Sequence, residues 1–248
     1  MGRLRDRVAI VTGSSSGIGE SIARSLAAEG ARVVVNSATS VDAGRAVAES
    51  LPDATYVRAD VADVDDCSRL VDAAVDRWGR LDVLVNNAGA TKVIAHHDLD
   101  AVTDEVFRRI LDVNVLGTWR MIRTAAPHLR ANAAEGMPGD IVNITSVAGL
   151  RPTGSSVPYA VSKAGLNHMT LLLAKSLGPD IRVNAVAPGL VATPWTADWD
   201  AAHAAVAKNA PLRRSGGPGD IADATIGLLL SGYATGQVLA VDGGLGLT

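Results

Sequence analysis

Short apolar, β-branched runs alternate with longer amphipathic stretches along almost the whole chain. Strand-like runs at 8–11, 32–36, 54–58, 81–85, 140–144, 181–186 and 238–241 are separated by helical patterns at 18–29, 41–51, 65–78, 105–124, 157–177 and 221–230. Runs such as Arg32-Val33-Val34-Val35-Asn36 do not alternate polar with apolar residues. Strands of that kind are buried on both faces, which requires a parallel sheet beneath two helical layers. Repeated β-α units joined by right-handed crossovers predict a doubly wound α/β fold with about seven strands. No linker, repeat or low-complexity tract divides residues 1–248, so one domain is expected. The least regular stretch, 189–219, carries prolines and two tryptophans. It reads as an excursion from the C-terminal edge of the sheet, where doubly wound folds bind ligands.

Composition narrows the partners. A net charge of −3 and the lack of a basic run argue against nucleic acid. No apolar window approaches the eighteen residues of a membrane span. Cys67 is the only cysteine, so an intrachain disulfide is excluded and a reducing compartment fits. The charged start, Met1-Gly2-Arg3-Leu4-Arg5-Asp6-Arg7, lacks the apolar core of a secretory leader, and a cytoplasmic location is expected.

Two motifs carry chemistry. Thr12-Gly13-Ser14-Ser15-Ser16-Gly17-Ile18-Gly19 joins the first strand to the first helix. Glycines let the backbone approach a pyrophosphate, and the helix N-terminus offers free N–H groups and a positive dipole end. The spacing is G-x-x-x-G-x-G, not G-x-G-x-x-G. The second motif is Pro158-Tyr159-Ala160-Val161-Ser162-Lys163, thirteen residues after Ser146. Tyr159 and Lys163, four apart, share a helix face. A phenol with a pKa of about 10 is a poor acid–base group at neutral pH. A fixed ammonium beside it is expected to favour the phenolate and lower that value. Such a Tyr can exchange a proton with an oxygen while a hydride is delivered elsewhere. Ser146 could hydrogen-bond the same oxygen.

Together with Asn86-Asn87-Ala88-Gly89, Asn114, Pro188-Gly189 and the closing Val241-Asp242-Gly243-Gly244, these motifs resemble the short-chain dehydrogenase/reductase family in order and spacing over essentially the whole chain. The match is nearest in appearance to 3-oxoacyl-carrier-protein reductases and related ketoreductases. The resemblance implies a Rossmann-type fold and a carbonyl or secondary-alcohol oxidoreductase that takes a nicotinamide dinucleotide. It makes Tyr159 the general acid/base, and Lys163 the group that lowers its pKa and binds the nicotinamide ribose. Ser146 orients the carbonyl, and Asn114 holds a water that relays protons toward Lys163. Gly13, Ser15, Ser16, Gly17, Ile18 and Gly19 would meet the pyrophosphate; Asn36, Ser37 and Ala38 the adenosine ribose; Asp60 and Val61 the adenine. Asn87, Ala88 and Gly89 would line the cleft, and Pro188, Gly189, Val191 and Thr193 would meet the carboxamide. Ser146, Ala148, Tyr159, Gly189, Trp195 and Trp199 form the expected substrate site. On sequence alone Asp60 could equally be a helix cap.

NADP(H) is expected over NAD(H), with NAD(H) still usable. A carboxylate at the end of the second strand would repel a 2′-phosphate, and Val35-Asn36-Ser37-Ala38-Thr39-Ser40 has none before Asp42. Ser37 and Thr39 could donate to phosphate oxygens. Ser16 departs from the basic residue that NADP-preferring relatives often carry, which limits the expected discrimination. Trp195 and Trp199 suggest a pocket for bulky apolar or cyclic ketones. A homotetramer or dimer is expected by resemblance, pairing helices that carry Val113, Leu116, Met121, Leu166, Met169 and Leu173. Adjacent His96 and His97 point apart and have no carboxylate cluster, so no metal site is expected. Cys67 lacks a base partner, and Asp63, Asp65 and Asp66 read as an acidic first helical turn. A nucleotide sensor on the same fold is the alternative to an enzyme. An isomerase or dehydratase is a third reading.

Overall fold

The computed structural model describes residues 2–131, 133 and 136–247. Seven strands form one parallel sheet: β1 (Val8–Val11), β2 (Arg32–Ser37), β3 (Ala54–Arg58), β4 (Val83–Asn86), β5 (Gly139–Ile144), β6 (Ile181–Pro188) and β7 (Val238–Val241). Their order is β3-β2-β1-β4-β5-β6-β7, the doubly wound topology that the β-α repeat predicts. Chain order reverses between β1 and β4, which opens a crevice at their C-terminal ends.

The continuous apolar strands are explained by two cores. Ala9, Val11, Val33, Val35, Val83 and Val85 face one core, with Ile22 and Leu26 of α1 (Gly17–Ala28) and Ile221 and Ile226 of α8 (Pro218–Leu230). Val8, Ile10, Val34, Leu84 and Ile141 face the other, with Leu70 of α3 (Val64–Trp78) and Met121 of α5 (Thr118–Ala131). Successive strand residues thus serve opposite cores, as the two-residue period requires. The remaining helices are α2 (Val41–Glu49), α4 (Asp104–Leu111), α6 (Val157–Leu177) and α7 (Asp200–Asn209).

Two elements differ from the sequence reading. The helix expected at 105–124 runs from Asp104 to Ala131 and contains a π-helical turn, Asp112–Gly117, between α4 and α5. The stretch 189–219 contains α7 and a short 3₁₀ turn, Pro194–Thr196. Asp63 caps α3, accepting from the Asp65 and Asp66 N–H groups at 2.8 and 3.0 Å.

Candidate active site

A cavity of about 1120 Å³ opens at the C-terminal ends of the strands, between the glycine turn, the loops after β4 and β5, α6 and the 190–206 lid. Gly13 and Gly17 hold left-handed φ values of +62° and +58°, a region only glycine enters freely. A Cβ on Gly19 would stand 2.3 Å from the Gly13 carbonyl oxygen and 2.5 Å from Asn87 Nδ2. Closure of the turn onto β4 therefore requires glycine there. Ser16 precedes α1, but its side chain caps none of the first-turn N–H groups. Those donors remain open on the cleft edge of the sheet, as an anionic pyrophosphate needs. On this geometry the residues present fit a dinucleotide.

Asn36 and Ser37 line the cavity where the adenosine ribose was expected, but their polar groups are engaged within the protein. Asn36 is buried; its Oδ1 accepts from the Gly13 N–H at 3.1 Å, and its Nδ2 donates to the Val57 and Ala59 carbonyls. It stitches the glycine turn to β2 and β3, and its amide is spent within the protein. Ser37 Oγ donates to the Ser40 carbonyl at 2.9 Å and shares a 2.9 Å hydrogen bond with the Tyr56 hydroxyl. Its hydroxyl proton is thus committed, and the expected donation to a phosphate from this side chain does not hold. Ala38 and Thr39 line the cavity. Asp60 caps no helix, since that position belongs to Asp63. Its Oδ1 accepts from the Ala62 N–H at 2.9 Å, and it lines the cavity beside Val61. Ser15 and Ile18 line the cavity as well.

The second strand end at the crevice is built by β4. Asn87 Nδ2 donates to the Thr12 and Gly13 carbonyls, each at 2.9 Å, and Thr12 Oγ1 accepts from the Asn87 and Ala88 N–H groups. Gly89 faces three functional groups at once. A Cβ there would meet Asn114 Oδ1 at 3.4 Å, the Trp195 ring tip at 3.7 Å and Lys163 Nζ at 3.8 Å.

Asn114 lies inside the π turn and is fully buried. Inserted π turns recur at functional sites because they redirect side chains. Its Oδ1 accepts from the Ala90 N–H at 2.7 Å; its Nδ2 donates to the Ala90 carbonyl at 3.0 Å and to Ser162 Oγ at 2.9 Å. Ser162 in turn donates to the Tyr159 carbonyl at 2.7 Å. Ser162, unassigned in the sequence reading, therefore links Asn114 to the turn of α6 that carries Tyr159. Lys163 is buried and donates to the Ile144 carbonyl at 2.9 Å, with its Nζ 5.7 Å from the centre of the Tyr159 ring. Burial holds its ammonium at a pKa of about 8.

Tyr159 departs from expectation. Part of its surface faces the cleft, yet burial pushes its phenol above the ordinary value; a hydrogen bond with Ser146 works the other way. Lys163 Nζ lies 5.7 Å from the ring centre, and burial of the phenol outweighs the lowering expected from it. The phenol is therefore protonated at neutral pH. Ser146 Oγ accepts from the Ala148 N–H at 3.1 Å. Gly154, at φ +123°, leaves room over Ala148 and the Tyr159 ring, which a Cβ would meet at 2.8 and 3.7 Å.

Pro188 ends β6, and the Gly189 N–H donates to the Val241 carbonyl at 2.9 Å. Val191 bridges to Gly216. Thr193 packs over Gly17, which brings the lid across the glycine turn. Trp195 is 49% exposed, and Trp199 precedes α7. His203 pins the lid: Nδ1 shares a 2.7 Å bond with Ser215 Oγ, and Nε2 a 3.0 Å bond with the Thr196 carbonyl. Sequence pattern gave no sign of this latch. The opposite wall, also missed, ties Thr91 Oγ1 to Ser155 Oγ at 2.6 Å and the Ile94 N–H to the Ser155 carbonyl at 2.8 Å. His96 and His97 are exposed; His96 Nε2 contacts the Gly154 carbonyl at 3.1 Å, and no metal-ligand cluster occurs among the described residues. Cys67 is buried, and burial pushes its thiol up to about 11, so it is no nucleophile.

A glycine cradle at the switch point, with a cleft-facing Tyr beside a buried Lys, defines a nicotinamide-dependent oxidoreductase. A family model described as enoyl-(acyl carrier protein) reductase matches residues 13–246. A Streptomyces violaceoruber protein named as ketoacyl reductase 2 of the granaticin polyketide synthase is 57% identical, over 96% of this chain and 95% of its own. The structure of a Brucella melitensis 3-ketoacyl-(acyl-carrier-protein) reductase complexed with NADH is similar at a TM-score of 0.91 and 34% identity, covering 98% of this chain and 99% of that one. A Pseudomonas aeruginosa RhlG/NADP active-site complex is similar at 0.89 and 34%, covering 98% and 97%. The chain belongs to the short-chain dehydrogenase/reductase family.

Proposed function

We propose that this enzyme reduces a bulky apolar or cyclic ketone to a secondary alcohol with NADP(H), with Tyr159 as the general acid/base. The observation that carries the reading is the meeting of Ser146, Tyr159 and the buried Lys163 on one wall of the cavity, with Lys163 Nζ 5.7 Å from the centre of the Tyr159 ring. Two hydroxyl groups directed at one oxygen suit a carbonyl better than the carbon–carbon double bond named in the family model's description. The bound nicotinamide supplies the hydride, or accepts it in the reverse direction. Tyr159 gives its proton to the substrate oxygen as negative charge develops there, and Ser146 donates a hydrogen bond to the same atom. Lys163 offsets the phenolate that results. Asn114 anchors the inner end of the proton route behind Lys163, where it would hold the relay water.

Several features support the finer claims. No carboxylate stands at the end of β2, which leaves space for a 2′-phosphate beside Ala38 and Thr39. The cleft and its 189–219 lid act as one dinucleotide-binding and catalytic unit. Leu116, Trp119, Val161, Leu171 and Leu172 are exposed on the helices of one side of the sheet. An apolar set of that kind is matched by a second copy, as a dimer or tetramer. Of the helix residues singled out from sequence, Val113, Met121 and Leu166 lie in the core and Met169 and Leu173 are half-buried, so Leu116 alone is exposed. No described helix is long and apolar enough to cross a membrane, and we place the enzyme in the cytoplasm. The test is NADPH oxidation across ketones graded by size. Turnover confined to small charged carbonyls, or none with any ketone, overturns the reading. Light scattering of the purified protein tests the assembly.

A further inference from the structure

The adenosine end of the cleft has no cation in the glycine turn, where Ser16 stands, and the Ser37 hydroxyl is committed within the protein. Two guanidiniums lie near this end: Arg109 lines the cavity and pairs with Asp60 at 3.4 Å, and Arg58 stands behind Ala38. Arg58 ends β3, the edge strand of the sheet, in register with Ser37. It is exposed, and its Nε donates to the Ala38 carbonyl at 3.2 Å, behind the cavity wall. No carboxylate forms an ion pair with it among the described residues. Two nearby arginines are already paired: Arg24 with Glu20, and Arg69 with Asp66. An unpaired guanidinium held against the backbone of Ala38 is placed to meet a phosphate on the adenosine ribose with its two Nη groups. Such charge-assisted pairing is stronger than neutral hydrogen bonding and selects the fork of Arg over Lys.

We propose that Arg58, reaching in from β3, is the residue that recognises the 2′-phosphate and sets the preference for NADP(H). This rests on the NADP(H) reading above. Calorimetric binding of 2′,5′-ADP and of 5′-AMP isolates the phosphate from catalysis. Wild type is expected to favour 2′,5′-ADP by about tenfold or more, a margin that shrinks with added salt. Arg58→Ala should remove most of that margin and its salt dependence, and Arg58→Lys should keep part of it. Arg45→Ala deletes an equal charge from α2 and should leave the margin in place. Circular dichroism and Tm check that each variant is folded. A wild type that discriminates while Arg58→Ala discriminates equally overturns the role of Arg58 and leaves the NADP(H) reading standing. An equal loss in Arg45→Ala overturns it in favour of a general positive field. A wild type that binds both nucleotides alike overturns the NADP(H) reading, and the assignment of Arg58 with it.

Discussion

At the N-terminal end of the sheet, Asp140 lies between Arg7 and Arg182 at 2.7 and 2.6 Å, with Arg80 paired to Asp82 at 2.6 Å nearby. Arg182 also donates to the carbonyls of Leu228, Leu229, Ser231 and Ala234, closing the C-terminal end of α8. At the C-terminal end, Lys163 is just as buried and has no carboxylate partner among the described residues; it donates to a neutral carbonyl, that of Ile144. Burial pushes Asp140 above the ordinary carboxyl range even with two guanidiniums opposing it, and it pulls Lys163 down to about 8. Desolvation dominates at both ends. Only the N-terminal end offsets it with opposite charge. The uncompensated cation is the one that lines the cleft, where a carboxylate partner would turn Lys163 away from Tyr159. Buried charge with partners marks architecture in this molecule, and buried charge without them marks chemistry.

The comparison breaks most visibly at Asp140. Asp140→Ala leaves two arginines facing a dry interior without their shared anion, and removing one member of a buried ionic group costs about 3–5 kcal/mol. Chemical denaturation should register that loss, while the folded fraction keeps its kcat/KM. An unchanged midpoint would mean that the network is ornamental. At the other end, Tyr159→Phe should lower turnover by at least about 10²-fold, or 2.7 kcal/mol in the barrier. Nucleotide affinity and Tm should change little, since the ring still packs. Near-normal kcat in this variant would end the assignment of Tyr159 as the proton donor.

Titration sharpens the contrast. Unfolded, Lys163 holds its proton to an ordinary pKa of 10.5; folded, it releases it near 8. Between those values the unfolded chain binds more protons, so raising pH favours the folded state in this window. The penalty for burying the ammonium is complete below pH 8 and is relieved as pH climbs toward 10.5. Lys163→Met removes the group. The stability difference between Met variant and wild type should therefore shrink by about 1 kcal/mol between pH 8 and 9. A difference that stays flat with pH would show Lys163 to be hydrated in solution.

Much of this was readable in the chain. Parallel strands declare themselves through unbroken apolar runs, and the glycine turn, Ser146, Tyr159 and Lys163 declare the chemistry through spacing. The π turn at Asn114 was not readable, because a one-residue insertion in a helix has no residue signature. Helix α7 was hidden by prolines on both sides and a weak apolar face, with Val206 its one buried residue. The direction of the Tyr159 shift was misread because proximity to Lys163 was weighed without burial. Ser37 was misread for a related reason: its neighbour Tyr56 lies nineteen residues away in sequence and only the β2–β3 register brings them together.

The lid carries the smallest expected effect, because it lines the cleft and holds none of the buried charges. Trp195 spans the two roles: half its surface is open, and its ring tip approaches Gly89 beside Lys163. A large ring over a cleft gains contact with a large apolar substrate and none with a small one. Trp195→Ala should raise KM for a cyclic ketone by about threefold to tenfold, or about 0.7–1.4 kcal/mol, with kcat nearly preserved. A three-carbon ketone should show less than about a twofold change on the same grounds. Trp199 precedes α7 and is half-buried, so Trp199→Ala should loosen the lid for substrates of every size. If Trp195→Ala weakens small and large ketones alike, the ring seals the cleft in general. The preference for bulky substrates must then come from the opposite wall, where Ile94 is buried and bonded through its N–H to Ser155.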